Sequence, residues 1–274
     1  MKKINLLLIA LVVSMATCSQ SRGRRTQTEG EGREPLEIKQ SIFFADGTLD
    51  EYTTSEWDSS YSHVNNQERY SASGAMLEQI EYQYNVDNGY ITIKLVMDVE
   101  RRLKNRVTYQ YQQNRLWRET LADNKGKPVS TYEYVYDNNG NRVSRIIRNR
   151  AGDKLAETAY TFDNQGRMIK SQTRDYSESA ISSTDYQYDA QGNLVRQVVL
   201  NNDGKPTTTI NVVWQGGHEV RNETLSVDGT IQMCVTSEYG ENGELVRKII
   251  ENFQGASKQI MQYEYTFRPA RRQS

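Results

Sequence analysis

Apolar and polar positions alternate along this chain in short runs, and the alternation is punctuated by an aromatic residue at a nearly fixed interval. The positions are Trp57, Tyr84, Tyr111, Tyr136, Phe162, Tyr188, Trp214, Tyr239 and Tyr265, separated by 27, 27, 25, 26, 26, 26, 25 and 26 residues. A period in the range of about 20–50 residues marks an array of copied units, none of which buries its apolar face alone. In the clearest copies the aromatic belongs to a fixed phrase, aromatic-x-aromatic-Asp-x-x-Gly: Tyr134, Tyr136, Asp137, Gly140; Tyr160, Phe162, Asp163, Gly166; Tyr186, Tyr188, Asp189, Gly192. Aromatics two apart share one face of a strand. The Asp side chain bonds its own backbone two residues on, and the Gly adopts the left-handed conformation that closes a type I turn with a bulge. Each copy therefore predicts a strand that ends in a hairpin turn.

A second set of turns lies about halfway between the first, at Asp46-Gly47, Ser73-Gly74, Lys125-Gly126, Ala151-Gly152, Asp203-Gly204, Asp228-Gly229 and Gln254-Gly255. Turns every 12 to 14 residues leave room for strands of about eight or nine residues and for no helix. The predicted fold class is all-β: an antiparallel hairpin meander of about 17 or 18 strands over residues 37–267. Left flat, such a ribbon would be about 85 Å wide. Open sheets of that width curl or close, so a curved or coiled sheet is expected. The strands Val143–Arg150 and Leu245–Phe253 have no continuously apolar face, so cross-strand stacking, rather than a deep two-sheet core, is expected to carry stability.

Tyr-x-Tyr-Asp-x-x-Gly followed by Asn or Arg and an aliphatic residue, as in Gly166-Arg167-Met168 and Gly192-Asn193-Leu194, resembles the YD repeat of RHS-type proteins. The resemblance spans residues 50–267, and three copies are clean. In Tyr84–Gly89 the glycine comes one place late, after Tyr111 it is missing, and after Trp214 it moves forward. The resemblance implies long antiparallel strand spirals that enclose a cargo or form extracellular stalks. No appended toxin domain is expected after Tyr265.

Composition fits an exposed array. Leu, Ile, Val and Phe make up 48 of the 257 residues after position 17, below the roughly one-fifth at which disorder becomes a serious reading. Against disorder stand 18 Tyr, 3 Trp and a net charge of −1, since disordered chains carry few aromatics and a large net charge. Tyrosine supplies apolar area while keeping a polar tip, which suits a sheet wetted on its faces.

At the N-terminus, Lys2 and Lys3 precede an apolar run from Ile4 to Val13, the form of a secretory signal over residues 1–17 and too short to span a membrane. Cys18, just after that run, resembles a bacterial lipoprotein acylation site, with residues 18–36 as a flexible tether and 268–274 as a tail. Cleavage after Ala16 is the competing reading. Removing Lys2 and Lys3 with the signal leaves 32 basic and 35 acidic side chains, a net −3, which argues against nucleic acid as a partner. The Arg22, Arg24, Arg25 cluster reads as solvated linker charge.

Catalytic constellations are thin. The histidines are His63 and His218, and Cys234 is the second cysteine. A metal centre needs three or four converging ligands, which neither the His nor the Cys positions provide; no metal, no cofactor and no enzyme activity are expected. The Asp-x-x-Gly turns lack the several acidic oxygens of a calcium loop. Rows of Tyr flanked by Arg, as at Tyr132, Tyr134 and Arg142, could stack on sugars, but as periodic residues they read first as the structural spine. Off-pattern residues are the better binding candidates, Trp117, His63, His218 and the paired Gly216-Gly217, and the periodic Trp214 joins Trp117 as an indole expected at the binding surface. The reading is an exported protein, lipid-anchored through Cys18 to the outer membrane or cell surface, or periplasmic. It would offer a binding or scaffolding surface to an envelope or host protein or to a glycan. A purely structural shell or stalk is the alternative. An outer-membrane barrel is a second, disfavoured by charges on both strand parities, as at Arg142, Arg145 and Arg148.

Overall fold

A computed structural model describes residues 35–58, 63–178 and 180–267 of the protein. The expected signal, most of the expected tether and the expected tail lie outside them; Pro35 and the residue after it already belong to the first strand. The first six strands are β1 (Pro35–Phe44), β2 (Leu49–Trp57), β3 (Val64–Ser71), β4 (Met76–Tyr84), β5 (Ile91–Met97) and β6 (Leu103–Gln112). The next six are β7 (Arg115–Asp123), β8 (Pro128–Tyr136), β9 (Arg142–Asn149), β10 (Lys154–Phe162), β11 (Met168–Asp175) and β12 (Ala180–Tyr188). The last are β13 (Leu194–Leu200), β14 (Pro206–Gln215), β15 (His218–Leu225), β16 (Ile231–Tyr239), β17 (Leu245–Asn252) and β18 (Ser257–Phe267).

Consecutive strands pair antiparallel, and β18 pairs with β1, so the meander closes into a barrel of 18 strands. Following opposed residues once around the ring returns to β1 displaced by 18 residues, one per strand. With about 3.3 Å rise per residue and about 4.8 Å between strands, that stagger fixes a tilt near 35° and a backbone diameter of about 33 Å. Each strand touches only its two neighbours. Among the described residues no large side chain is fully buried. A closed wall whose two faces are both wetted encloses solvent.

The exit strand carries an extra residue next to almost every turn. On the rim bearing the periodic aromatics, the register slips at that aromatic in each hairpin, as at Val135/Tyr136, Thr161/Phe162 and Gln187/Tyr188. Such bulges bend the strand and increase its twist, which is what closure of a wide sheet needs. The turns follow the expected chemistry. In the turn after β8 the Gly140 amide donates to the Asp137 carbonyl at 3.1 Å, and the Asp137 carboxylate accepts from the Asn141 amide at 2.8 Å. Gly140 has φ of 90°, and a Cβ there would lie 2.9 Å from the Arg115 guanidinium.

The two faces differ. Side chains on a concave face converge and shield one another, whereas those on the convex face splay apart. In β10, Thr158 and Tyr160 are buried while Ala159 and Thr161 are exposed; β11 and β14 alternate the same way. The shielded face carries the periodic tyrosines and lines the lumen. The exposed face carries Arg106, Lys170, Arg174, Arg196, Arg221 and Glu238.

One contact recurs around the ring. In six of the nine copies, though not at Trp57, whose indole is unsatisfied, the periodic aromatic donates to the main-chain carbonyl 20 residues upstream, on the neighbouring strand. The bonds run from Tyr84 to Val64 and Tyr136 to Leu116 at 2.8 Å, and from Tyr188 to Met168 at 2.8 Å. Trp214 Nε1 does the same to Leu194 at 2.9 Å, Tyr239 to Glu219 at 3.0 Å, and Tyr265 to Leu245 at 2.8 Å. Every such bond ties one hairpin to the hairpin before it. Phe162 holds this position without a hydroxyl. Replacing Tyr136 with Phe should cost about 1 kcal/mol of unfolding free energy in urea. Phe162→Tyr, facing the Arg142 carbonyl, should gain up to a similar amount; a loss in the second variant would show that this contact is not a repeated stabilising element.

Candidate functional site

The lumenal wall is built in tiers. Nearest one rim lie the nine periodic aromatics. Two residues deeper comes a second row containing Tyr82, Tyr109, Tyr134, Tyr160, Tyr186 and Tyr263, and the neighbouring strands add polar side chains at the same level. Three tyrosines of the second row bond the residue 15 positions upstream: Tyr82 donates to Gln67 Oε1 at 2.7 Å, Tyr134 donates to Glu119 Oε1 at 2.7 Å, and the Tyr186 and Ser171 hydroxyls pair at 3.1 Å. Burial, with the charge of Glu119, raises the Tyr109 and Tyr134 phenols far above the ordinary tyrosine range. The same two causes bring Tyr111 to about 12.

The outer wall carries ion-paired clusters among aliphatic side chains such as Val135 and Val213. Arg118 and Arg148 each donate to one oxygen of Glu133 at 2.9 Å. Desolvation opposes ionisation of Glu133, but these two hydrogen bonds outweigh it and hold the carboxyl below its usual value.

The four candidate binding side chains fall into different places. Trp214 is a spine aromatic, bonded as described. His63 packs tilted by 41° against Tyr84 with ring centres 4.4 Å apart, and its Nδ1 lies 3.0 Å from Asp58 Oδ2. His218 stacks on Tyr239 at 4.4 Å. Both histidines sit 21 residues before a spine ring, where Tyr90 stacks on Tyr111 at 4.7 Å and the guanidinium of Arg167 lies 5.0 Å from the Tyr188 ring. The repeat therefore employs them as ring caps. Sequence reasoning missed this because the cap position changes residue type from copy to copy; its fixed offset from the aromatic was the available signal.

Trp117 is the extra residue of its bulge, at the position of Val143, Ile169, Val195 and Val246 in other copies. It faces outward with Arg118, whose guanidinium lies 4.1 Å from the indole centre. An open cleft of about 710 Å³ at this rim adjoins it, lined by Gln112, Gln113, Arg115 and Asn138 and also by Tyr134 and Tyr136 of the lumenal face. Cys234 is a free thiol, 3% exposed. Among the described residues no His, Cys, Asp and Glu converge in a group able to hold a metal.

No protein-family model matches the chain, and no curated protein does. Similar solved structures include the TcdB2-TccC3-Cdc42 complex, an RHS/YD-repeat toxin assembly, at 15% identity and TM-score 0.35, covering 77% of this chain and 15% of that one. A porin-like protein from Bacteroides vulgatus is 9% identical with TM-score 0.36, covering 86% and 99%. A LolA superfamily protein from Nitrosomonas europaea is 11% identical with TM-score 0.24, covering 87% of this chain and 88% of that one. The chain thus spans about one-seventh of the first of these.

The tiers lead to a pH dependence. Because folded Tyr109, Tyr111 and Tyr134 ionise above their unfolded values, their neutral forms stabilise the barrel fully below about pH 10. That contribution is lost as pH rises further. Tyrosinate absorbance and loss of strand circular dichroism should therefore rise together above pH 10; full tyrosine ionisation near pH 10 with the strand signal intact would contradict it.

Proposed function

We propose that this chain is an exported cell-envelope protein, lipid-anchored through Cys18, whose barrel is a binding and scaffolding module with water on both sides of its wall. Cys18 lies outside the described residues, so the anchor rests on the signal-like N-terminus. The observation that carries the module reading is the contrast of faces: an outer wall on which exposed charges such as Arg106, Lys170, Arg174, Arg196 and Arg221 recur from strand to strand, and a lumen lined by tyrosines. Trp117 and Arg118, presented outward beside an open cleft, are the natural contact for a protein or glycan partner.

The closed wall also favours a second reading, a structural shell that encloses without recognising anything. A membrane-spanning barrel shares the strand number and closure, but its outer wall would place Arg106, Arg174 and Arg196 in hydrocarbon, at about 2–4 kcal/mol for each arginine near the midplane.

Two measurements test the proposal. The mature chain with Cys18→Ala should remain monodisperse without detergent, whereas precipitation rescued by detergent would favour the spanning barrel. The unaltered chain should take up labelled palmitate in envelope fractions and lose the label on Cys18→Ala. A saturable partner from envelope extracts, weakened by Trp117→Ala, separates a binding module from a spacer.

A further inference from the structure

In the second lumenal row, the position 15 residues before the tyrosine supplies a hydrogen-bond partner to its hydroxyl: the acceptors Gln67 Oε1 and Glu119 Oε1, and the Ser171 hydroxyl. For Tyr160 that position is Arg145, which can only donate. The consequence is visible in the wall. Tyr160 is 7% exposed, and both its hydroxyl and the Nε of Arg145 are buried with no hydrogen-bond partner. A second cation lies beside them. Arg142 sits between two rings, its guanidinium carbon 5.3 Å from the Tyr134 centre and 5.4 Å from the Tyr160 centre. Among the described residues neither Arg142 nor Arg145 has a carboxylate partner, unlike Arg118 and Arg148 on the outer wall. The Glu119 carboxylate, on the far side of Tyr134, is engaged by the Tyr134 hydroxyl.

Two arginines and a phenol hydroxyl thus share one patch in which the phenol oxygen is the one acceptor on the side chains named and is left unbonded. Buried donors left without a partner cost free energy, and a planar guanidinium is matched to oxyanions. We propose that Arg142, Arg145 and Tyr160 form a lumenal oxyanion site that takes a carboxylate or sulfate group. The Tyr134 and Tyr160 rings beside it offer flat walls on which the ring of an acidic sugar would pack. This inference rests on the tyrosine face lining the lumen and names the chemistry of a ligand held there.

The test uses the purified full chain, titrated calorimetrically with sulfate, glucuronate and glucose, with chloride at matched ionic strength as control. Saturable binding of sulfate and glucuronate is expected, with glucose and chloride inert. Tighter glucuronate assigns the site to acidic sugars, and equal affinities assign it to free oxyanions as well. Arg145→Gln places an amide oxygen opposite Tyr160, as Gln67 does for Tyr82. It should raise the melting temperature of the unliganded protein while weakening sulfate at least about tenfold, the effect of losing one charge-assisted hydrogen bond. Tyr160→Phe should weaken sulfate with the fold retained, and it carries the test if the Arg145 variant does not fold. Equal responses to sulfate and chloride, or unchanged affinity in both variants, would overturn the site. Loss of binding in Arg148→Gln instead, on the outer wall, would place the anion outside the lumen and overturn it too, while leaving an outward-facing binding role standing.

Discussion

Closure is the constraint from which the rest of this molecule follows. A strand at the edge of a sheet exposes a row of unpaired amides and carbonyls, and a hairpin of nine-residue strands with little aliphatic content is at best marginally stable alone. Joining β18 to β1 removes both liabilities, because every strand then has two partners. The pairing at the seam extends along nearly the whole of both strands, from Pro35 opposite Phe267 to Phe44 opposite Gln259. A ring of 18 strands is too wide for side chains to fill its centre. The protein therefore has a wall rather than a core, and its stability lies in contacts between adjacent strands.

The wall explains the composition. Tyrosine suits a surface that is shielded by its neighbours yet never dry: the ring packs across the neighbouring strand, and the hydroxyl reaches a carbonyl there. The same side chain serves as staple and lining, which is why one residue type recurs so often in a chain with few leucines. The outer wall is free of that duty and carries paired charges such as Arg118, Glu133 and Arg148. Where the inner wall departs from its own rule, at Arg145, polar groups remain unsatisfied. Such departures in a repeat point to function more sharply than its regular positions do.

Much of the fold was legible in the sequence because the hairpin is a local object. The phrase Tyr134 to Gly140 specifies strand, face and turn within seven residues, and the period carries that reading along the chain to the strand number found. Closure was not legible, since the partners Ile38 and Tyr265 are at opposite ends of the array and no local pattern records their pairing. Nor was the direction of curvature, which decides whether Tyr134 or Val135 faces the lumen. The candidate site was legible only in part. Trp117 stands out as an indole where other copies place an aliphatic residue, whereas His63 and His218 looked irregular only because residue type, not position in the unit, was compared. Arg145 was counted as one more charge on a strand; its meaning depends on the 15-residue offset that the side-chain geometry makes visible.

The closed wall is tested most directly at its seam. Lys39 and Glu264 oppose each other across β1 and β18, with Nζ 3.7 Å from Oε1. Spin labels on Lys39→Cys and Glu264→Cys, in a background without the native thiols, report their separation by pulsed dipolar spectroscopy. A single short distance, that of labels on residues whose Cα atoms are about 5 Å apart, is the result for the closed barrel. A distance approaching the roughly 80 Å width of an open ribbon, or a broad spread of distances, would contradict closure and with it the lumen.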